Sequence, residues 1–155
     1  MNKFQMYTLD PQCKLEYAKA GDSGADFRAH IPTAITLRPG ERTLVPTGVF
    51  VQMPPGYELQ VRPRSGLALK SGITVVNSPG TIDSCYRGEI GIIILNTDKS
   101  NDFTINPFDK IAQAVVSTVF HPEWNMVSSK EELSETERGD GGFGSTGVAA
   151  QGASA

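Results

Sequence analysis

The chain has 155 residues, 39% of them hydrophobic and 20% charged, enough for one compact domain and too few for two cores of ordinary size. That balance excludes a disordered chain, and the longest apolar stretch, Ile92 to Leu95, is far too short to cross a bilayer. A formal net charge of −3 with no basic tract argues against polymeric DNA or RNA as a ligand. Any anionic substrate must instead meet a few placed cations, backbone amides or a metal ion.

Residues Met1 to Tyr7 lack the apolar segment of a signal peptide, and Cys13 and Cys85 form neither a disulfide framework nor a ligand cluster. The expectation is a cytoplasmic protein with reduced thiols. In chain order, Pro39-Gly40 and Pro54-Pro55-Gly56 mark turns. Tyr57, Leu59 and Val61 then alternate with Glu58, Gln60 and Arg62, the period-2 pattern of a half-buried strand. Next, Ser65 is placed to cap a short helix over Gly66 to Lys70 that Gly72 ends. Pro79-Gly80 and Arg87-Gly88 are further turn signals, and Glu89 to Asn96 is a β-branched run suited to a more fully buried strand. Thr97 to Asp102 turns the chain, and Ala114 to Phe120 is another strand. Ser128 and Glu131 have the spacing of a capping box, although Glu131 to Glu137 also reads as a solvated linker. Ten prolines between residues 11 and 122 leave little room for long helices. The fold class is therefore all-β, a barrel or jelly-roll-like sandwich with one short helix.

Composition shifts at Arg138. Residues 139 to 152 hold six of the sixteen glycines and little apolar material to hold them down. This divides the chain into a β-barrel domain with its connecting segment over 1–137 and a mobile glycine-rich C-terminal arm over 138–155.

Three segments carry candidate chemistry. Arg64-Ser65-Gly66 stands where the short helix begins, so a guanidinium, a hydroxyl and an amide can converge on a phosphate; taken alone, an ordinary helix cap beside a surface arginine is the simpler reading. Arg138 followed by Gly141-Gly142-Phe143-Gly144-Ser145-Thr146-Gly147 has the glycines and hydroxyls of a second phosphate cradle. It is not a Walker A loop, because no lysine follows the final glycine. Phe143 needs a surface to cover, either a nucleobase or another subunit. Asp83, flanked by Ile82 and Tyr86, is either a turn residue bonding its own backbone or a carboxylate that orients and deprotonates a water. His30 and His121 are solitary, so no metal triad is visible, and a Cys85 nucleophile has no histidine nearby in sequence.

Taken in order, five segments resemble the trimeric dUTPase family across Ala20 to Gly147. They are Ala20-Gly21-Asp22-Ser23-Gly24-Ala25-Asp26-Phe27; Pro63-Arg64-Ser65-Gly66-Leu67-Ala68; Asn77-Ser78-Pro79-Gly80-Thr81-Ile82-Asp83 through Tyr86-Arg87-Gly88-Glu89-Ile90; Asp109-Lys110-Ile111-Ala112-Gln113; and Arg138 through Gly147. Each is short, and their order and spacing carry the resemblance. Phe27 and Phe108 stand where the family commonly has leucine and glycine, and Lys110 where arginine is frequent.

The resemblance implies a distorted jelly roll and hydrolysis of dUTP to dUMP and pyrophosphate. Asp83 would be the general base. Tyr86 would lie against the deoxyribose and leave no room for a 2′-hydroxyl. Asn77, Gly80, Thr81 and Ile82 would belong to a hairpin that reads uracil through backbone groups. Arg64, Ser65, Gly66 and Gln113 would hold the phosphates, Arg138, Gly144, Ser145 and Thr146 would close over the γ-phosphate, and Phe143 would cover the base. Mg²⁺ would ride on the phosphates with Asp26 as a partner through water. The active sites would be shared between the subunits of a homotrimer. A dCTP deaminase shares the fold, but its strand after the third segment carries a carboxylate, and Ile90 to Leu95 has none. A regulatory protein partner fits some members that carry an insertion, and no insertion is obvious here.

Overall fold

The computed structural model describes residues 3–142. Contacts divide the chain into two units, Met1–His121 and Pro122–Ala155.

The first unit is all-β and jelly-roll-like. Its strands are β1 (Gln5–Thr8), β2 (Ala25–Arg28), β3 (Ile35–Leu37), β4 (Arg42–Pro46), β5 (Val49–Gln52), β6 (Tyr57–Arg62), β7 (Ile73–Val75), β8 (Gly80–Asp83), β9 (Gly91–Asn96), β10 (Phe103–Ile105) and β11 (Lys110–Thr118). One α-helix, α1 (Ser65–Ser71), follows β6. The largest sheet runs β2-β11-β6-β8, and a second runs β4-β9-β7; β1-β5 and β3-β10 are two-stranded ribbons. Every pairing is antiparallel.

The alternation read between Tyr57 and Arg62 is β6 itself, with Leu59 and Val61 inward and Glu58, Gln60 and Arg62 on the outer face. The isoleucine run begins as strand only at Gly91. It alternates rather than burying both faces: Ile92, Ile94 and Asn96 face the core, while Ile93 and Leu95 are half-buried. The last expected strand extends back to Lys110 and stops at Thr118. Phe27, Val45, Val49, Ile73, Ile90 and Ile105 complete the centre of the core. Asn96 is polar and fully buried, and it is satisfied. Its Nδ2 donates to Leu37 O and Asn101 O at 2.9 Å each, and its Oδ1 accepts from Asp98 N at 2.9 Å. The Ser100 and Asn101 amides in turn donate to the Asp98 carboxylate and hold its pKa below the ordinary value.

Cys13 is buried and Cys85 exposed, both as free thiols. Burial, and next the nearby Asp10 charge, push the Cys13 thiol above its ordinary pKa. Helix α1 starts one residue earlier than expected, with Arg64 at the cap and no side-chain cap bond, so Ser65 lies inside the first turn. Gly72 ends the helix as expected, in the left-handed conformation at φ 62°.

In the second unit the capping arrangement sits one residue downstream of the expected one. The Ser128 and Ser129 amides donate to Glu132 Oε1 at 3.0 and 3.2 Å, at the start of a 3₁₀ turn over Lys130–Glu132. Trp124 and Met126 are 85% and 89% exposed, an unusual state for such side chains. No helix among the described residues is long and apolar enough to cross a membrane.

Candidate active site

The start of α1 forms one part of the site. Arg64, Ser65, Gly66, Lys70, Ser71 and Gln113 border an open cleft of about 300 Å³. Lys70 was not singled out from the sequence. Helical spacing places it four residues after Gly66, on the same face of α1. Gln113 reaches the cleft from β11, where it lies opposite Arg62 of β6 and Asp26 of β2.

Asp26 anchors Arg64, one wall of the cleft. Its side chain is 13% exposed; Oδ2 lies 2.7 Å from Lys110 Nζ and Oδ1 lies 3.0 Å from Arg64 Nε. The second contact is an ion pair outside hydrogen-bond geometry, so both Oδ1 and Nε are buried without a hydrogen-bond partner. Arg64 Nη1 also donates to Lys110 O at 3.1 Å. Arg64 therefore serves as a tie between α1, β2 and β11 as well as a wall of the cleft. Lys110, the departure from the usual arginine, supplies the second cation on Asp26.

No group of three or more His, Cys, Asp or Glu side chains capable of holding a metal occurs among the described residues. Asp26 faces two cations and keeps Oδ1 without a hydrogen bond. That donor set suits a metal-bound water on a triphosphate and does not suit a metal gripped directly by the protein.

The hairpin after β7 forms the other part. Ser78 N donates to Val75 O at 3.2 Å, and β8 then runs beside β6 with Gly80 opposite Val61, Thr81 opposite Gln60, Ile82 opposite Leu59 and Asp83 opposite Glu58. Gly80 is buried because a Cβ there would stand 3.2 Å from Val61 Cβ and 3.3 Å from Asn77 Nδ2. Asn77, Thr81 and Asp83 are exposed and Ile82 is half-buried. A turn closed by Tyr86 N to Asp83 O at 3.0 Å brings Tyr86 back next to the strand end. Tyr86 Oη donates to Glu89 O at 2.9 Å, and Glu89 Oε1 accepts from Gly48 N at 2.7 Å, which fastens the hairpin to the β4–β5 turn. Glu58 lies opposite Asp83 on β6. Its polar period was visible, but the strand opposite it was not.

Within one chain Asp83 stands away from the cleft, although the near end of its hairpin, at Gly80, lies opposite Val61, one residue from Arg62. Asp83 is level with Glu58 on one side of β6, while Gln113 is level with Arg62 on the other. Four strand residues at ~3.3 Å each separate those levels by ~13 Å, before the width of the sheet is added. Arg138, in the second unit, lies in a turn where its Nε donates to Gly141 O at 2.9 Å. Phe143, Gly144, Ser145 and Thr146 lie outside the described residues.

The family model described as dUTPase matches residues 13–147. The chain belongs to the dUTPase family. It is 58% identical over 132 residues to the deoxyuridine 5'-triphosphate nucleotidohydrolase of Chlamydia caviae, covering 85% of this chain and 89% of that one. The Caulobacter vibrioides enzyme of the same name is 54% identical over 134 residues, covering 85% and 84%. Among solved structures, the Staphylococcus bacteriophage 80alpha dUTPase with dUpNHpp matches with TM-score 0.81 and 27% identity over 96% of this chain and all of that one. A mutant dUTPase from phage phi11 of S. aureus, whose structure reveals coordination of a structural Mg(II) ion, matches with TM-score 0.72 and 26% identity over 84% and 99%. The chain is thus a hydrolase of the dUTPase family, and its all-β architecture is that of its dUTPase neighbours.

Within this dUTPase scaffold Gly24 makes room for Gln113. A Cβ at Gly24 would stand 3.1 Å from Gln113 Oε1 and 3.3 Å from its Cδ, and the glycine's φ is one that any residue adopts. Gly24→Ala is expected to push the Gln113 amide out of place and raise KM for the triphosphate by about tenfold with little change in melting temperature. Steady-state kinetics beside a melting curve test it; an unchanged KM would show that Gln113 is not needed in its present position.

Proposed function

We propose that the chain hydrolyses dUTP to dUMP and pyrophosphate at sites completed by neighbouring copies in a homotrimer. The observation that carries this reading is the split just described: a carboxylate beside a tyrosine on one hairpin, and a cationic cleft at a helix start ~13 Å away along the sheet. Neither part suffices alone, and symmetry in an assembly brings the hairpin of one copy to the cleft of the next.

Asp83 orients a water in line with the bond between the α-phosphorus and its bridging oxygen, and takes its proton as the new P–O bond forms. Pyrophosphate leaves with the bridging oxygen. Ser65, the Gly66 amide, Lys70 and Gln113 hold the phosphate chain, and Arg64 keeps the cleft in shape through Asp26. Asp26 would hold Mg²⁺ through water, and the ion would supply charge neutralisation at the phosphorus. Asn77, Gly80, Thr81 and Ile82 read uracil on the hairpin, where a cytosine would leave buried groups unpaired. Tyr86 closes the space of a 2′-hydroxyl. Arg138, Gly144, Ser145 and Thr146 cover the γ-phosphate and Phe143 the base, on a C-terminal arm beyond residue 137 that reaches a neighbouring copy. The reduced thiols suit the cytoplasm, where dUTP hydrolysis lowers that nucleotide and supplies the precursor of dTMP.

Pyrophosphate release from dUTP, dCTP, dTTP and UTP, with Mg²⁺ and with EDTA, tests the proposal. Turnover is expected with dUTP and Mg²⁺ alone. Ammonia release from dCTP would move the chain to deamination, and binding of dUTP without turnover would point to a nucleotide-gated protein partner.

A further inference from the structure

Tyr86 is 43% exposed, so packing alone does not hold its ring. Two features do. Its Oη donates to Glu89 O at 2.9 Å, and the phenol end of the side chain occupies the space a Cβ on Gly88 would take. A Cβ built on Gly88 would run into Tyr86 Oη, stand 2.6 Å from Cζ and 3.0 Å from Cε2; all three of its nearest neighbours belong to that one ring. Gly88 has no left-handed φ, so the backbone itself does not call for glycine. Tight-turn geometry therefore does not account for this residue, and the seat it provides for the ring does.

We propose that Gly88 is a positioning residue for sugar selection: the missing side chain lets Tyr86 lie where it fills the space of a 2′-hydroxyl. This rests on the proposed dUTP hydrolysis. Rejecting one extra oxygen requires the wall to be fixed within about half an ångström. Glu89 fixes the far end of the ring through its carbonyl and is itself pinned by Gly48 N at 2.7 Å. Gly88 fixes the height. A methyl group there lifts the ring, which relocates by two side-chain torsions and leaves the surrounding strands undisturbed.

The test compares kcat/KM for dUTP and UTP in the wild type, Gly88→Ala, Tyr86→Ala and the double variant, each with a melting curve. Gly88→Ala is expected to lower the dUTP-to-UTP preference by about tenfold or more. In the Tyr86→Ala background the same change should move the preference by less than about twofold, because the ring it displaces is gone. An unaltered preference in Gly88→Ala overturns the inference. So does an equal fall in the Tyr86→Ala background, or loss of the fold in both backgrounds, since the glycine would then serve the chain and not the ring. If Gly88→Ala fails to fold and the double variant folds, the clash with the ring is confirmed. Absence of dUTP turnover in the wild type would instead remove the functional reading on which the inference rests.

Discussion

Asp83→Asn is expected to lower kcat for dUTP by about 10³-fold or more while the affinity for a non-hydrolysable dUTP analogue stays within about threefold of the wild type. The amide keeps the size and shape of the carboxylate but cannot take the proton of the attacking water. Placement in the fold sharpens this expectation. Asp83 ends β8 as an exposed residue directly opposite Glu58 on β6, so two negative side chains share one outer face. Like charges directly opposite on a sheet are destabilising. Removing one of them should leave melting unchanged or slightly raised, which separates loss of chemistry from loss of structure. Single-turnover kinetics and analogue binding decide the matter. Substantial remaining turnover would assign the water to another group, with Glu58 the first to examine.

Asp26→Ala is expected to damage both stability and activity. Its carboxylate is the common partner of Arg64 and Lys110, and it is 13% exposed. Taking it away leaves two cations facing each other over a half-buried floor, a change worth about 3 kcal/mol, at the lower end because Lys110 can turn to solvent. For a chain of this length that lowers the melting temperature by about 10 °C. The Arg64 side chain then loses one of its two ties, the remaining one being its bond to Lys110 O. The start of α1 loosens, and KM for dUTP and the Mg²⁺ concentration needed for half activity should both rise. A melting temperature within about a degree of the wild type would show that the triad contributes nothing measurable, as many ion pairs do not. Asp26→Asn separates the two effects, since it keeps the floor filled while removing the charge.

Much of the fold and the site was legible in the residue order. The period-2 alternation from Tyr57 to Arg62 specified β6 because one face of that strand is buried and the other is not. Gly72 marked the end of α1 because a left-handed residue there favours glycine. The five segments pointed to the dUTPase family, whose model covers residues 13–147. They also gathered Arg64, Ser65, Gly66 and Gln113, which the structure brings to one cleft. Strand edges were less legible. The β-branched run from Glu89 looked like one buried strand, but Glu89 and Ile90 are held by Gly48, Val49 and Thr47 outside the ladder.

What the sequence by itself determined was therefore local: which residues prefer strand, turn or helix, and which short segments carry the family resemblance. Those follow from backbone preference and alternation along the chain. Only the tertiary structure decided which residues face one another. That Glu58 opposes Asp83, that Lys110 shares Asp26 with Arg64, and that Gly88 seats the Tyr86 ring are facts of register and long-range contact between positions distant or folded back on themselves. Register is set by the joint burial of all strands at once. For the same reason, only the paired strands place Asp83 and Gln113 at opposite levels of β6.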